Sequence, residues 1–195
     1  MKITPCNNLN FNATFISNSK VLKKDKNGDY QPCDVQFVEF KLNDKNDVKK
    51  VHEICSMPEF CSLGEHLRET VYAASFPSDY HNTHCYALIK EDEKNLENIN
   101  RNNVLGILSA YEDYPRRKED HIAYFMTNSK YSNNKEIKPR EEYTGIGTGM
   151  ANAFKKLHPK DIIGLYPSRE AVQFWEKNDF RYKNAIYMVY NPKKA

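Results

Sequence analysis

The residues most suggestive of chemistry form a glycine run late in the chain, Glu142-Tyr143-Thr144-Gly145-Ile146-Gly147-Thr148-Gly149. The chain has seven glycines, and three of them fall within five residues here. Glycine lets backbone approach a ligand closely and adopt dihedral angles closed to other residues. The following segment, GIGTGMANAFKKLH (145–158), reads as a helix, so the run opens a helix N-terminus. First-turn N–H groups have no partner inside the helix, and the helix dipole adds to their charge. Together they favour an anion, most often a phosphate. The same glycines also suit tight helix–strand packing. No Lys-Ser/Thr pair follows, so the run is not a Walker A loop. It lies late, without a preceding parallel βαβ start, which argues against a dinucleotide fingerprint.

Such a loop must be held by regular elements, and these alternate along the chain. Residues 9–32, around a KNGD turn signal, predict a short hairpin or irregular extension. VQFVEFKL (35–42) predicts a strand. KNDVKKVHEIC, opened by Asn43–Asp44, predicts a helix with Val48, Val51, Ile54 and Cys55 on one face. A second helix is expected over 64–76, ending near Pro77. Strands are expected over 84–91, 104–113 and 121–128, with polar loops over 93–103 and 129–142. After the glycine helix come a strand (161–167), a helix (168–179) with Ser168 as N-cap, and one bent strand or a hairpin (180–191). The order predicts an α/β (α+β) fold: a mixed, mostly antiparallel sheet flanked by helices. Residues 1–33 are expected to form an N-terminal, hairpin-like extension packed on one domain over 34–195.

Composition narrows the class. The chain has 195 residues, 39% hydrophobic and 12% aromatic, and its net charge of +3 is too mild for a nucleic-acid footprint. No apolar run approaches the ~20 residues of a membrane span, and the N-terminus shows no apolar signal region. A cytoplasmic protein is expected, with no membrane and no nucleic acid among its partners. The five cysteines (Cys6, Cys33, Cys55, Cys61, Cys85) have no CxxC spacing, so reduced thiols and no metal are expected.

The run from Glu142 to Gly149 resembles the Gln/Arg-x-x-Gly-x-Gly/Ala motif of the GNAT superfamily of acyl-CoA-dependent N-acyltransferases. A second segment, Ala171-Val172-Gln173-Phe174-Trp175-Glu176-Lys177-Asn178-Asp179-Phe180, resembles that family's A-x-x-F-Y-x-K-x-G-F. The two occur in the family's order, separated by one helix and one strand. The resemblance covers about four fifths of the chain. It departs at Glu142 for Gln/Arg, Ser168 for Asn, Trp175 for Tyr and Asp179 for Gly, and a polar insert occupies 129–141.

The resemblance implies acetyl-CoA as co-substrate. Its pyrophosphate would lie on Glu142, Tyr143, Thr144, Gly145, Ile146, Gly147, Thr148 and Gly149, with Ser168 at the second motif. Backbone groups of Phe125, Met126 and Thr127 would pair with the pantetheine arm, and one N–H there would stabilise the oxyanion. Histone-acetylating relatives carry a Glu where this chain has His121, preceded by Asp120, which makes His121 the implied catalytic base. The alternative for His121 is a solvated strand-end residue paired with Asp120. Glu112 and Asp113 are weaker candidates. Trp175 stands where the family's general acid would be, and an indole N–H releases no proton, so Tyr166 and Tyr187 are the substitutes considered. Arg140 could compensate Glu142.

The acceptor, an amine of a small molecule or a protein, would bind near 45–80 and 180–191. The first region carries Glu53, Glu59, Glu65, Glu69 and Asp79. The reading implied is an N-acetyltransferase, as monomer or homodimer. The alternative is a catalytically inactive acyl-CoA-binding sensor or scaffold.

Overall fold

The structure, a computed structural model, describes residues 13–56, 83–90, 99–100, 102–112, 119–128 and 142–194. The expected helix over 64–76, residues 93–98, the insert 129–141, Arg140 and Asp113 lie outside the described residues, as do Cys6, Cys61, Glu59, Glu65, Glu69 and Asp79.

The N-terminal region is more regular than its composition suggests. Strands β1 (Thr14–Lys24) and β2 (Tyr30–Phe40) form a long antiparallel hairpin. Its turn is closed by Asp25, whose Oδ1 accepts from the N–H groups of Asn27 and Asp29, with Gly28 at φ 94°. The boundary expected at residue 33 therefore falls inside β2. The strand expected over 35–42 starts earlier and stops at Phe40. Helix α1 (Lys45–Cys55) starts as expected, because the Asp44 side chain accepts from the N–H groups of Asn46 and Asp47. Its apolar residues Val51, Ile54 and Cys55 are buried.

Strands β3 (Thr83–Lys90), β4 (Val104–Tyr111) and β5 (Asp120–Thr127) continue the antiparallel sheet. A two-residue strand β6 (Tyr143–Thr144) pairs with β1 directly before helix α2 (Ile146–Leu157). Strand β7 (Ile163–Leu165) is shorter than the expected 161–167 and pairs with β5 in parallel. The expected helix over 168–179 divides into a 3-10 turn (Arg169–Ala171) and α3 (Val172–Lys177). Ser168 stands at the N-cap, but its side chain makes no capping bond. Residues after Phe180 form a hairpin, β8 (Arg181–Asn184) and β9 (Tyr187–Tyr190). The described strands make one mixed sheet in the order β6-β1-β2-β3-β4-β5-β7-β9-β8, flanked by three described helices.

Each face buries its own core. On one, Val38, Phe40, Ile107 and Met126 pack with Val51 and Ile54 of α1. On the other, Phe37, Tyr86, Leu108 and Ile122 pack with Met150 and Phe154 of α2 and with Trp175. Gly149 makes the second contact possible. A Cβ there would lie 2.7 Å from the Lys20 carbonyl oxygen, and its own carbonyl accepts the Ser19 hydroxyl at 2.7 Å. Backbone cannot yield as a side-chain tip can. Gly149→Ala is therefore expected to lower stability by about 1–3 kcal/mol, the usual range for overpacking. Denaturant midpoints of the two proteins test this, and an unchanged midpoint would show that α2 slides freely on β1.

Candidate functional site

The glycine run is a tight left-handed turn into α2. Gly145 is the N-cap at φ 73°, a conformation costly for other residues, and its carbonyl accepts the Gly149 N–H at 2.8 Å. The N–H groups of Ile146, Gly147 and Thr148 thus precede the first intrahelical bond. The first turn of α2 contains no acidic residue. Glu142 does not bring its charge to the turn unopposed: its Oε2 lies 3.8 Å from Lys90 Nζ. The Lys23 and Lys90 ammonium groups lie 5.5 and 5.2 Å from the ring centre of buried Tyr143. Pairing of β6 with β1, and of the Lys24 N–H with the Glu142 carbonyl, fixes the approach to the turn.

Beside this turn the sheet opens. Strand β5 runs for eight residues, but only Asp120–Ile122 pair with β7. The register with β4 shifts where Ser109 opposes Tyr124 and Ala110 opposes Ile122, leaving Ala123 as a bulge. A bulge bends its strand and raises its twist. Beyond it, no described strand pairs with the far edge of β5. The Asn128 N–H bonds the Leu105 carbonyl, so by antiparallel alternation the backbone groups of Met126 face Ile107 on β4. Those of Phe125 and Thr127 face the gap. Of the three residues expected to offer backbone groups, Met126 is thus turned to the neighbouring strand, with its side chain in the α1-side core.

The helix turn and the opened strand meet at Gly147. A Cβ on Gly147 would lie 3.6 Å from the Phe125 ring and 2.9 Å from the Phe174 ring. The architecture has counterparts among solved structures. One is an acetyltransferase of the GNAT family from Desulfovibrio desulfuricans, at 11% identity and TM-score 0.53, with 81% of this chain and 99% of that chain covered. Another is a histone acetyltransferase HPA2 and related acetyltransferase from Corynebacterium glutamicum, at 12% identity and TM-score 0.51, covering 81% of this chain and 96% of the other. This chain has a GNAT-like fold. No protein-family profile matches the sequence, and no curated protein matches it significantly.

Within the GNAT-like sheet, His121 is buried near the start of β5, next to Asp120. Alternation turns the two to opposite faces. His121 lies between Tyr111 and Tyr187, stacked at 6.2 and 5.9 Å between ring centres, with Tyr166 edge-on at 5.5 Å. The Tyr187 hydroxyl donates to Glu119 Oε1 at 2.9 Å and lies 3.4 Å from His121 Nδ1. Its one proton is committed to Glu119, so toward His121 the phenol oxygen is an acceptor and Nδ1 carries the hydrogen. This assignment, inferred from the network, makes Nε2 the basic nitrogen. Lys183 donates to Glu119 Oε2 at 3.2 Å and balances its buried charge. Tyr187 reaches across the sheet because its neighbour is Gly164, where a Cβ would meet the hydroxyl.

Glu119 was not among the residues singled out from sequence. Its signal was faint: one acid in the run Arg117-Lys118-Glu119-Asp120, which reads as solvated charge. Trp175 is 4% exposed, with Phe125 and Phe174 each 4.8 Å and Phe180 5.0 Å from it between ring centres. It is a core residue of the GNAT-like domain. Tyr166, by contrast, is 52% exposed. Ser168 is exposed at the start of the 3-10 turn, and Glu53 pairs with Lys50 at 2.9 Å on the surface of α1.

Glu112 lies on the other face, among further ionisable groups. The His84 imidazole is raised in pKa, chiefly by its hydrogen bond to Glu39, against a lowering by burial. Burial lowers the pKa of His158, but Asp120, Glu112 and Asp161 outweigh it and raise the net value. Burial, reinforced by Glu112 and Glu39, pushes the Tyr86 phenol far up. Among the described residues Cys33, Cys55 and Cys85 form no disulfide, and burial pushes the pKa of the Cys85 thiol well up. No helix among the described residues is long and apolar enough to cross a membrane.

Proposed function

We propose that this chain is an acyl-CoA-dependent N-acetyltransferase that moves an acetyl group from acetyl-CoA to a primary amine by direct attack. The observation that carries the reading is the meeting of the α2 N-terminus with the unpaired, bulged half of β5 at Gly147. A helix N-terminus suits the pyrophosphate. A strand edge with backbone groups turned outward suits the amide-bearing pantetheine arm, which can add to it as a strand would. The two neighbours of like fold carry acetyltransferase names, which agrees with this chemistry.

The steps follow. The amine nitrogen attacks the thioester carbonyl carbon, and the oxyanion takes an N–H of Phe125 or Thr127. The amine proton passes to His121 Nε2, directly or through water. The C–S bond then breaks, and the CoA thiolate leaves. A thiol pKa near 8.5 makes that leaving group tolerable without a dedicated acid, and Tyr166 beside His121 can return the proton. Glu119 and Tyr187 hold the ring of the base. A second reading, an inactive acyl-CoA sensor, is favoured by one observation: Trp175 is buried in the core where the family's acid would stand.

Thermal melts with acetyl-CoA, and with ATP and NAD as controls, test the cofactor. At a hundredfold excess over Kd the stabilisation is about 2.7 kcal/mol, a rise of about 5–10 °C for a domain this size. A rise with acetyl-CoA alone is expected. No rise at millimolar concentration would remove both readings. Steady CoA release with an amine panel, corrected for thioester hydrolysis, then separates enzyme from sensor.

A further inference from the structure

On the α2 face, beneath the C-terminal end of the helix, lies a chain of ionisable side chains that acyl transfer does not use. It runs from β2 across β3 and β4 to β5. His84 Nδ1 lies 2.6 Å from Glu39 Oε1, and its Nε2 is 3.4 Å from Glu112 Oε2. The Tyr86 hydroxyl donates to Glu112 Oε1 at 3.0 Å, and the same oxygen lies 3.4 Å from His158 Nε2. On the other side of that ring, His158 Nδ1 faces Asp120 Oδ2 at 2.8 Å and Asp161 Oδ2 at 3.7 Å.

Two carboxylates therefore converge on one ring nitrogen. An imidazole nitrogen carries at most one hydrogen, in the ring plane, and directs it to one acceptor. A metal ion can instead take all three donors. Bonds of about 2.0–2.2 Å in a tetrahedral site set ligand atoms about 3.3–3.6 Å apart. The distances of 2.8 and 3.7 Å bracket that spacing, and all three donor atoms lie within 4.8 Å of one another. The second observation is on the far side of the ring. There buried Nε2 makes no hydrogen bond among the described residues and lies 3.4 Å from Glu112 Oε1, the place from which an outer carboxylate orients a metal-ligating histidine. Among the described residues of this chain, four carboxylates (Glu39, Glu112, Asp120 and Asp161) are joined to two imidazoles. The side chains of Asp120 and His158 are 7% and 9% exposed, while that of Asp161 is 55% exposed. The arrangement thus has a buried floor and an open side for entry.

We propose that Asp120, His158 and Asp161 bind one divalent transition-metal ion of zinc's class, with Glu112 orienting His158 from behind. Imidazole with carboxylates suits zinc and its cobalt substitute. The ion ties the start of β5 to the end of α2. The site faces away from His121, and it does not depend on the acyl-transfer reading.

The test uses the full chain, freed of metal with a chelator. Zinc affinity is read by competition with a chromophoric chelator, and cobalt by its visible spectrum. One equivalent is expected to bind, without a thiolate-to-cobalt charge-transfer band, and to raise the melting temperature. Asp161→Asn, at an exposed position that does not threaten folding, is expected to weaken zinc at least tenfold. Glu112→Gln is expected to weaken it 10–100-fold. His158→Gln should abolish binding. Absence of stoichiometric binding, a thiolate band, or an Asp161→Asn affinity equal to that of the parent protein would each overturn the site.

Discussion

A Gly147→Glu variant is expected to fold and to lose acetyl-CoA. The Cβ it introduces would lie 2.9 and 3.0 Å from two carbons of the half-buried Phe174 ring, and 3.6 Å from Phe125. These are edges of side chains, which can turn aside at a cost of about 1–3 kcal/mol. The carboxylate then stands where the proposed pyrophosphate would lie. Two like charges 4 Å apart repel by about 4 kcal/mol at the effective dielectric of a protein surface. That is about a thousandfold in Kd. The expected result is a native circular dichroism spectrum, a slightly lowered melting temperature, and no thermal shift with acetyl-CoA. Gly149→Ala supplies the contrast, because its side chain strikes backbone on β1 rather than the ligand path. It should lose stability yet keep affinity. If Gly147→Glu binds acetyl-CoA like the parent protein, the turn is a packing device and the proposed cofactor site fails.

Sequence periodicity and turn residues located these elements because local chemistry specifies them. Helix α1 is announced by Asp44 as cap and by an apolar stripe, and it appears where expected. The start of α2 is announced by three glycines within five residues. What stayed hidden depends on pairing between distant segments. The KNGD turn marks the N-terminal hairpin, but the stretch is rich in Lys and Asn, so the length of its strands is not legible. They are strands because β1 finds partners in both β2 and β6. The bulge at Ala123 has no sequence mark, since it follows from how β5 settles between β4 and β7. The pairing of Glu142 with Lys90 joins residues 52 positions apart, so nothing near Glu142 in the sequence announces it. The same holds for the proposed metal ligands. His158 and Asp161 are three apart, but Asp120 reaches them only after α2 folds over the sheet. No short-spaced motif announces that set.

His121→Ala is expected to lower kcat by about 10²–10⁴-fold, the contribution of a positioned general base, while acetyl-CoA affinity stays within a few-fold. The separation follows from the sheet. His121 lies on the face of Tyr111, Tyr166 and Tyr187, whereas the glycine turn and Phe125 lie on the face covered by α2 and α3. Tyr187→Phe refines the test. It removes the hydroxyl between Glu119 and His121 but keeps the ring stack, and Glu119 retains Lys183. If Tyr187 only packs, activity per folded molecule is unchanged. If it holds His121 in the Nε2-basic form, kcat falls with KM for the amine little moved. Its loss should be smaller than that of His121→Ala and absent in the double variant, because a positioning residue has no effect once the base it positions is gone. Equal and additive losses would mean that the two residues act separately, and that Glu119 and Tyr187 belong to the scaffold rather than to the reaction.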